Sequence, residues 1–164
     1  MAFHELLGPS IGALATLAGV VAGGGIGSRS QERHWMRNAR REACADVLRA
    51  YVILHGQLGR WARRGERPDI EWSEWGHAMN MVRLVATPEV IAAGDAINAE
   101  LWQIERKLKS GQGGLENWLV YQEQLEARHL QFINAARGNL DRRSAGLSRS
   151  VGRPPADHPM WRSS

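Results

Sequence analysis

The chain has 164 residues, enough for one domain of ordinary size, and a mean hydropathy of -0.38 that is typical of a soluble protein. Basic residues outnumber acidic ones by 21 to 17, and the single cysteine excludes an internal disulfide and any metal site built from several cysteines. These averages hide a segregation, because the N-terminal end is apolar and the rest of the chain is charged.

The N-terminal segment predicts a membrane anchor. From Leu6 to Ser28 there are 23 residues without a charge. A helix of that length rises about 35 Å, enough to cross a hydrocarbon core of about 30 Å. Alanine and glycine dilute the apolar residues, so insertion should be favourable but not strongly so. We therefore expect residues 1–28 to form a single transmembrane helix.

The charges that flank this segment predict its orientation. No lysine or arginine precedes the segment, and the only side chains before it that can carry a charge are those of His4 and Glu5. Five arginines follow it closely. The positive-inside rule then places the N-terminus outside and the long C-terminal part in the cytoplasm. The five residues form a membrane-proximal basic cluster that could contact anionic lipids: Arg29, Arg33, Arg37, Arg40 and Arg41.

Two alternatives for the N-terminal segment stay open. It could be a signal peptide whose cleavage yields a secreted protein, although it lacks the basic residues that usually begin such peptides. It could also be a glycine-rich soluble segment. The arginines likewise could form a solvated helix face, paired with Glu32, Glu42 and Asp46.

Glycines in the anchor suggest a way for two copies to associate. Gly19, Gly23 and Gly27 are spaced by four residues, so on a helix they form a smooth stripe that a second backbone can approach closely. This spacing predicts a homo-oligomer through the membrane helix. The alternative is that glycine is simply frequent in membrane helices.

Four amphipathic helices are predicted after the anchor, over about residues 29–64, 71–86, 88–109 and 115–140. A capping pattern at Ser28–Gln31 predicts the first start, and Pro68 predicts the first break. Thr87 and Pro88 supply a helix-start signal, and the glycine-rich residues 110–114 predict a turn. Their core stripes include Cys44, Val47, Tyr51, Leu54, Leu58, Trp61, Trp72, Trp75, Met79, Val82, Val85, Val90, Ile97, Leu101, Ile104, Leu108, Trp118, Leu125, Phe132, Ile133 and Ala136.

These elements predict an all-α protein, with a transmembrane helix followed by a lopsided antiparallel bundle of about four helices over residues 29–140. The second helix is the short one. Residues 141–164 have few apolar side chains, several arginines and a pair of prolines, and we expect them to form a disordered basic tail.

One pattern suggests metal chemistry. Glu74 and His77, and again Glu126 and His129, form the Glu-x-x-His motif that di-iron carboxylate bundles carry on two helices. In a simple up-down bundle, Glu74 would lie beside Leu58 to Trp61 of the first helix. Along the bundle axis it would be about 12 Å from Glu126, too far for the two motifs to share a metal site. We therefore predict no metal, cofactor or catalytic residue.

Three further side chains have plain structural interpretations. His129 lies on the apolar stripe of the fourth helix, so a hydrogen-bonded core histidine is the favoured interpretation, and His55 is interpreted in the same way. Cys44 lies on the inner stripe of the first helix and should be a buried thiol.

Two stretches carry a family resemblance. SQERHWMRNARREACADVLRAY (residues 30–51) and RLVATPEVIAAGDAI (residues 83–97) resemble patterns in small, uncharacterised actinobacterial proteins. In those proteins a membrane anchor is followed by an Arg-rich amphipathic helix and a small helical domain. The resemblance covers roughly residues 10–135 and implies no activity, substrate or site residue.

The expected function is that of a non-enzymatic, membrane-anchored interaction or scaffold protein. Its partners would be the lipid bilayer and an unidentified protein, whereas nucleic acid is not favoured because no recognition motif is present. One alternative is a glycine-zipper oligomer that perturbs or gates the membrane. Another is a helical enzyme whose site carries no recognised motif.

Overall fold

A computed structural model describes the backbone of residues 7–141 and 143–149, and the side chains of that part from residue 31 onward. Four helices and no strand occur in these residues. They are α1 (Leu7–Arg64), α2 (Ser73–Val85), α3 (Pro88–Lys109) and α4 (Leu115–Leu140). The contacts divide the chain into two compact units, residues 1–39 and residues 40–164, of which the second contains the bundle.

The bundle core confirms the predicted apolar stripes. All the predicted core side chains of α1 and α3 are buried, among them Leu54, Leu58 and Ile97. On the other two helices Val85 and Ile133 are only half-buried, and the rest of the predicted residues are buried. Trp72, predicted for the second helix, lies just before α2 and is also half-buried. The periodicity of apolar residues therefore fixed which side of each helix faces the core.

Glycines end α1 and begin α4 as the turn signals predicted. Gly65 has a φ of +75° and donates its N–H to the Trp61 carbonyl, which closes the last turn of α1. Gly114, with a φ of +101°, ends the turn between α3 and α4 and donates its N–H to the Ala62 carbonyl of α1 at 2.7 Å. This bond fixes the start of α4 beside the end of α1.

The first helix is longer than predicted. Its backbone is helical through Ser28–Gln31, so the prediction of a separate helix start there was wrong. A capping side chain begins a helix only where the preceding residue leaves helical geometry, and neither proline nor glycine stands between residues 28 and 31 to force that. The predicted anchor, residues 1–28, lies outside the residues whose side chains are described. Within the described part, no helix is both long and apolar enough to cross a membrane.

The position of α2 along α1 differs from the prediction. Glu74 and His77 lie beside Asp46 and Arg49, not beside Leu58 to Trp61. The reason is the connection over residues 65–72, which packs along the bundle instead of turning at its end. Ile70 packs against the core, and the Trp72 ring stacks on Trp102 of α3 at 4.2 Å. As a result α2 begins beside the middle of the described part of α1, near Asp46 and Arg49, and not beside the end of that helix.

Part of the predicted disordered tail is held against α4. The Asn134 side chain accepts the N–H of Leu147 at 2.7 Å and donates to the Leu147 carbonyl at 3.0 Å. The Arg137 guanidinium also donates to the Ala145 carbonyl. The chain therefore reverses after α4 and runs back along it as far as Leu147. Residues 150–164 lie outside the described residues.

Candidate functional site

A cluster of aromatic and titratable side chains lies where α1 packs against α4. The Tyr51 ring stacks on the His129 imidazole with 4.3 Å between centroids and 10° between planes. His55, one turn along α1, lies 5.6 Å from the Tyr51 ring and 5.2 Å from the Trp118 ring. The Glu126 carboxylate completes the cluster and accepts a hydrogen bond from Gln122 at 2.9 Å.

Helix packing explains why these residues meet. The bond from the Gly114 N–H to the Ala62 carbonyl holds the start of α4 beside the end of α1, and the two helices run antiparallel from there. Residues near the end of α1 therefore face residues near the start of α4. Gly59 lets the Trp118 ring lie so close that a Cβ at position 59 would be only 2.8 Å from a ring carbon. This close approach continues along the helices to Tyr51 and His129.

The surroundings of the cluster disfavour protonation of both imidazoles. Burial lowers the pKa of His55, and the nearby Arg63 charge lowers it further, while Glu126 raises it. Burial also lowers the pKa of His129; the neighbouring His55 adds to this shift and Glu126 opposes it. Burial raises the pKa of Tyr51, and the Glu126 charge raises it further. The cluster is therefore a polar packing layer that tolerates a proton poorly.

These positions agree with the sequence interpretation only in part. His55 and His129 are half-buried in the bundle, as a core interpretation requires, but their close contacts are aromatic rings. Sequence reasoning treated them separately and missed that they share a layer. No local signal places them together, because the turn at residues 110–114 joins α3 to α4. The register of α1 against α4 depends instead on the long-range bond from the Gly114 N–H to the Ala62 carbonyl. Cys44 is buried as predicted, and burial raises the pKa of its thiol.

The two Glu-x-x-His motifs lie in different surroundings. Glu74 and His77 line an open cleft of about 500 Å³ together with Asp46 and Arg49. His129 instead stacks on Tyr51. Nowhere in the described part do three His, Cys, Asp or Glu side chains come together in a way that could hold a metal ion.

The basic cluster does not behave as one group. Arg33, Arg37 and Arg41 are exposed, and their spacing places them on one side of α1. Arg40 is half-buried and donates from Nε to the Val85 carbonyl at 2.8 Å. It therefore caps the last turn of α2, a role that its spacing alone did not indicate. Arg29 and the stripe of Gly19, Gly23 and Gly27 lie outside the described side chains.

A surface of mixed character lies on the outside of α4, and we call it the α4 outer face. Leu115, Leu119 and Val120 are 59%, 44% and 53% exposed there. Their spacing groups them on one side of the helix with the exposed Glu116 and Glu123. Residues 115–127 contain no lysine or arginine. This face therefore exposes apolar side chains next to acidic ones, with no basic residue nearby in the sequence.

Comparison with known proteins adds nothing to the assignment, because no family model, curated protein or solved structure matches the chain. The resemblance to small actinobacterial membrane-anchored proteins stays a prediction.

Proposed function

We propose that the protein is a non-enzymatic helical interaction module, anchored in a membrane by residues 1–28, that presents the α4 outer face to a protein partner in the cytoplasm. The observation that carries the proposal is the exposure of Leu115, Leu119 and Val120 side by side on one helix. Single exposed apolar residues need no explanation, but a contiguous group with a polar rim is typical of an interaction site.

The chemistry of this face indicates the kind of partner. Glu116 and Glu123 flank the apolar side chains, and no basic residue of α4 precedes Arg128. A partner helix that is apolar on one side and carries lysine or arginine at its edges would bury the leucines and meet opposite charge. The proposed partner is therefore a basic amphipathic helix.

The anchor in this proposal rests on the sequence. A stretch of 23 residues without charge precedes five arginines, and an uncharged segment of that length with basic residues on one side is the usual pattern of a single-pass anchor. Arg33, Arg37 and Arg41 are exposed and available to lipid headgroups, whereas Arg40 is engaged with α2.

Site-specific photocrosslinking in native membranes tests the interaction surface. A photoreactive amino acid at position 119 should give a discrete adduct with a protein whose crosslinked segment is a basic amphipathic helix. The matched control is position 84 on α2, because Leu84 is also apolar and is 76% exposed. Glu116→Arg with Glu123→Arg should remove the adduct at position 119.

Three results would contradict the proposal. The first is no adduct at position 119, and the second is the same adduct at positions 119 and 84. The third is an adduct only with a second copy of the chain, which would indicate self-association through this face.

A further inference from the structure

The path of the chain after α4 points along the α4 outer face. The Arg137 guanidinium binds the Ala145 carbonyl, and Asn134, almost one turn earlier on the helix, binds Leu147 through both backbone groups. Each step forward in the tail is thus a step back along α4, towards Val120 and Glu116. Asn134 lies four and five helical turns from Val120 and Glu116, so all three fall on the same side of α4.

The remaining chain is long enough to reach this face. From Asn134 to Glu116 the helix rises about 27 Å. Residues 150–164 contain Pro154, Pro155 and Pro159, which favour extended backbone of about 3.1 Å per residue. Fifteen such residues span about 46 Å. The segment can therefore pass the whole apolar group with length to spare.

The chemistry of the segment complements the face. Residues 150–164 contain apolar Val151, Met160 and Trp161, together with Arg153 and Arg162. The face contains the exposed apolar side chains of Leu115, Leu119 and Val120, with Glu116 and Glu123 at its edge. Among the described residues, no ion pair is formed by either of these glutamates. Trp161 and the arginines offer apolar area and opposite charge to what the face exposes.

We propose that residues 150–164 dock on the α4 outer face, with Met160 and Trp161 covering the exposed leucines and Arg153 and Arg162 paired with Glu123 and Glu116. The Asn134 clamp on Leu147 sets the direction of the segment and holds its beginning beside the helix. If the face also binds a partner, the tail competes with that partner; this consequence alone rests on the proposed function.

Paramagnetic broadening in the full chain tests the docking. A spin label is attached at Ser163→Cys in a Cys44→Ala background, with the protein in a neutral detergent and no partner present. Amide signals of residues 115–124 should broaden strongly, while signals of α2 around Leu84 should not. Asn134→Ala, which removes the clamp, should weaken the broadening.

Exchanging the charges of the tail and of the α4 outer face distinguishes specific docking from chance proximity. Arg153→Glu with Arg162→Glu should abolish the broadening of residues 115–124, and adding Glu116→Arg with Glu123→Arg should restore it. Weak broadening spread over all helices, or strong broadening that charge reversal leaves unchanged, would overturn the proposal. Because no partner is present, failure here leaves the crosslinking test of the proposed function intact.

Discussion

Two histidine side chains at the α1–α4 contact make the stability of the bundle depend on pH. His129 lies flat on Tyr51, and His55 sits between the rings of Tyr51 and Trp118. A proton on either imidazole would be poorly solvated there and would repel a proton on the other. Only Glu126, among the charged groups acting on the pair, favours the protonated forms, and the pKa of both histidines is nevertheless lowered.

We predict that stability falls as the solution is acidified below neutrality. The folded-state pKa of both histidines lies below the ordinary value of 6.5, so the unfolded chain binds protons first. Their contribution is fully present above about pH 6.5 and is lost as the pH falls through the folded-state values. The urea midpoint, followed by near-ultraviolet circular dichroism, should be lower at pH 5.5 than at pH 7.5.

Replacing both histidines provides the control for the pH effect. His55→Gln with His129→Gln should flatten the dependence between pH 5.5 and pH 7.5, whereas His77→Gln should leave it unchanged because His77 is exposed. An equal slope in the native protein and the double variant would show that other groups cause the effect.

At the level of elements, the contact between α1 and α4 depends on Gly59. A Cβ at this position would lie 2.8 Å from one Trp118 ring carbon and 3.1 Å from another. Gly59→Ala should therefore destabilise the protein by about 1–3 kcal/mol, because the buried indole must move. Denaturant unfolding measures the change.

Gly56 is a matched control one turn earlier on the same helix. A Cβ there would meet only the flexible end of Arg60 at 3.7 Å. Gly56→Ala should stabilise the helix by about 0.5–1 kcal/mol, because alanine loses less backbone entropy than glycine. Equal effects at positions 56 and 59 would rule out the Trp118 contact as the cause.

The joint between α1 and α2 depends on one arginine of the basic cluster. Arg40 donates to the Val85 carbonyl, which the last turn of α2 leaves without a helical partner. Arg40→Ala should cost about 1–2 kcal/mol of unfolding free energy. Arg41→Ala, at an exposed neighbour, should cost less than about 0.5 kcal/mol. Similar losses from both would mean that the bond to Val85 contributes little.

The helices were predictable because their signals are local. Apolar spacing identified the buried sides, and Thr87, Pro88 and the glycine turns fixed where α3 and α4 begin. The position of α2 along α1 was not predictable, because it depends on the contacts of Ile70 and Trp72 with distant residues. The role of Arg40 and the clamp at Asn134 depend in the same way on residues far along the chain.

At the level of the whole molecule, the proposed membrane attachment makes a direct prediction. Leu14→Arg with Leu17→Arg should release the protein from membranes in an alkaline carbonate wash. Each arginine near the centre of a span costs about 2.5–3.5 kcal/mol, whereas each strongly apolar residue contributes only about 0.3–0.6 kcal/mol.

Leu84→Arg is the control for membrane release, because Leu84 is exposed on α2. That variant should stay with the membranes, as should the native chain. Release of the native chain by the same wash would contradict a span. Digestion of the bundle by protease added to intact cells would contradict the cytoplasmic orientation and favour the signal-peptide alternative.

The reversal of the chain at Asn134 affects how this protein should be tagged. The chain at Leu147 lies beside Asn134, six residues before the last residue of α4, because the Asn134 side chain holds that point. A fluorescent protein fused directly after Leu147 would therefore start beside the flank of α4 and not at the end of the bundle. Reporters meant to leave the flank accessible are better inserted in the 65–72 connection, at the exposed Glu66.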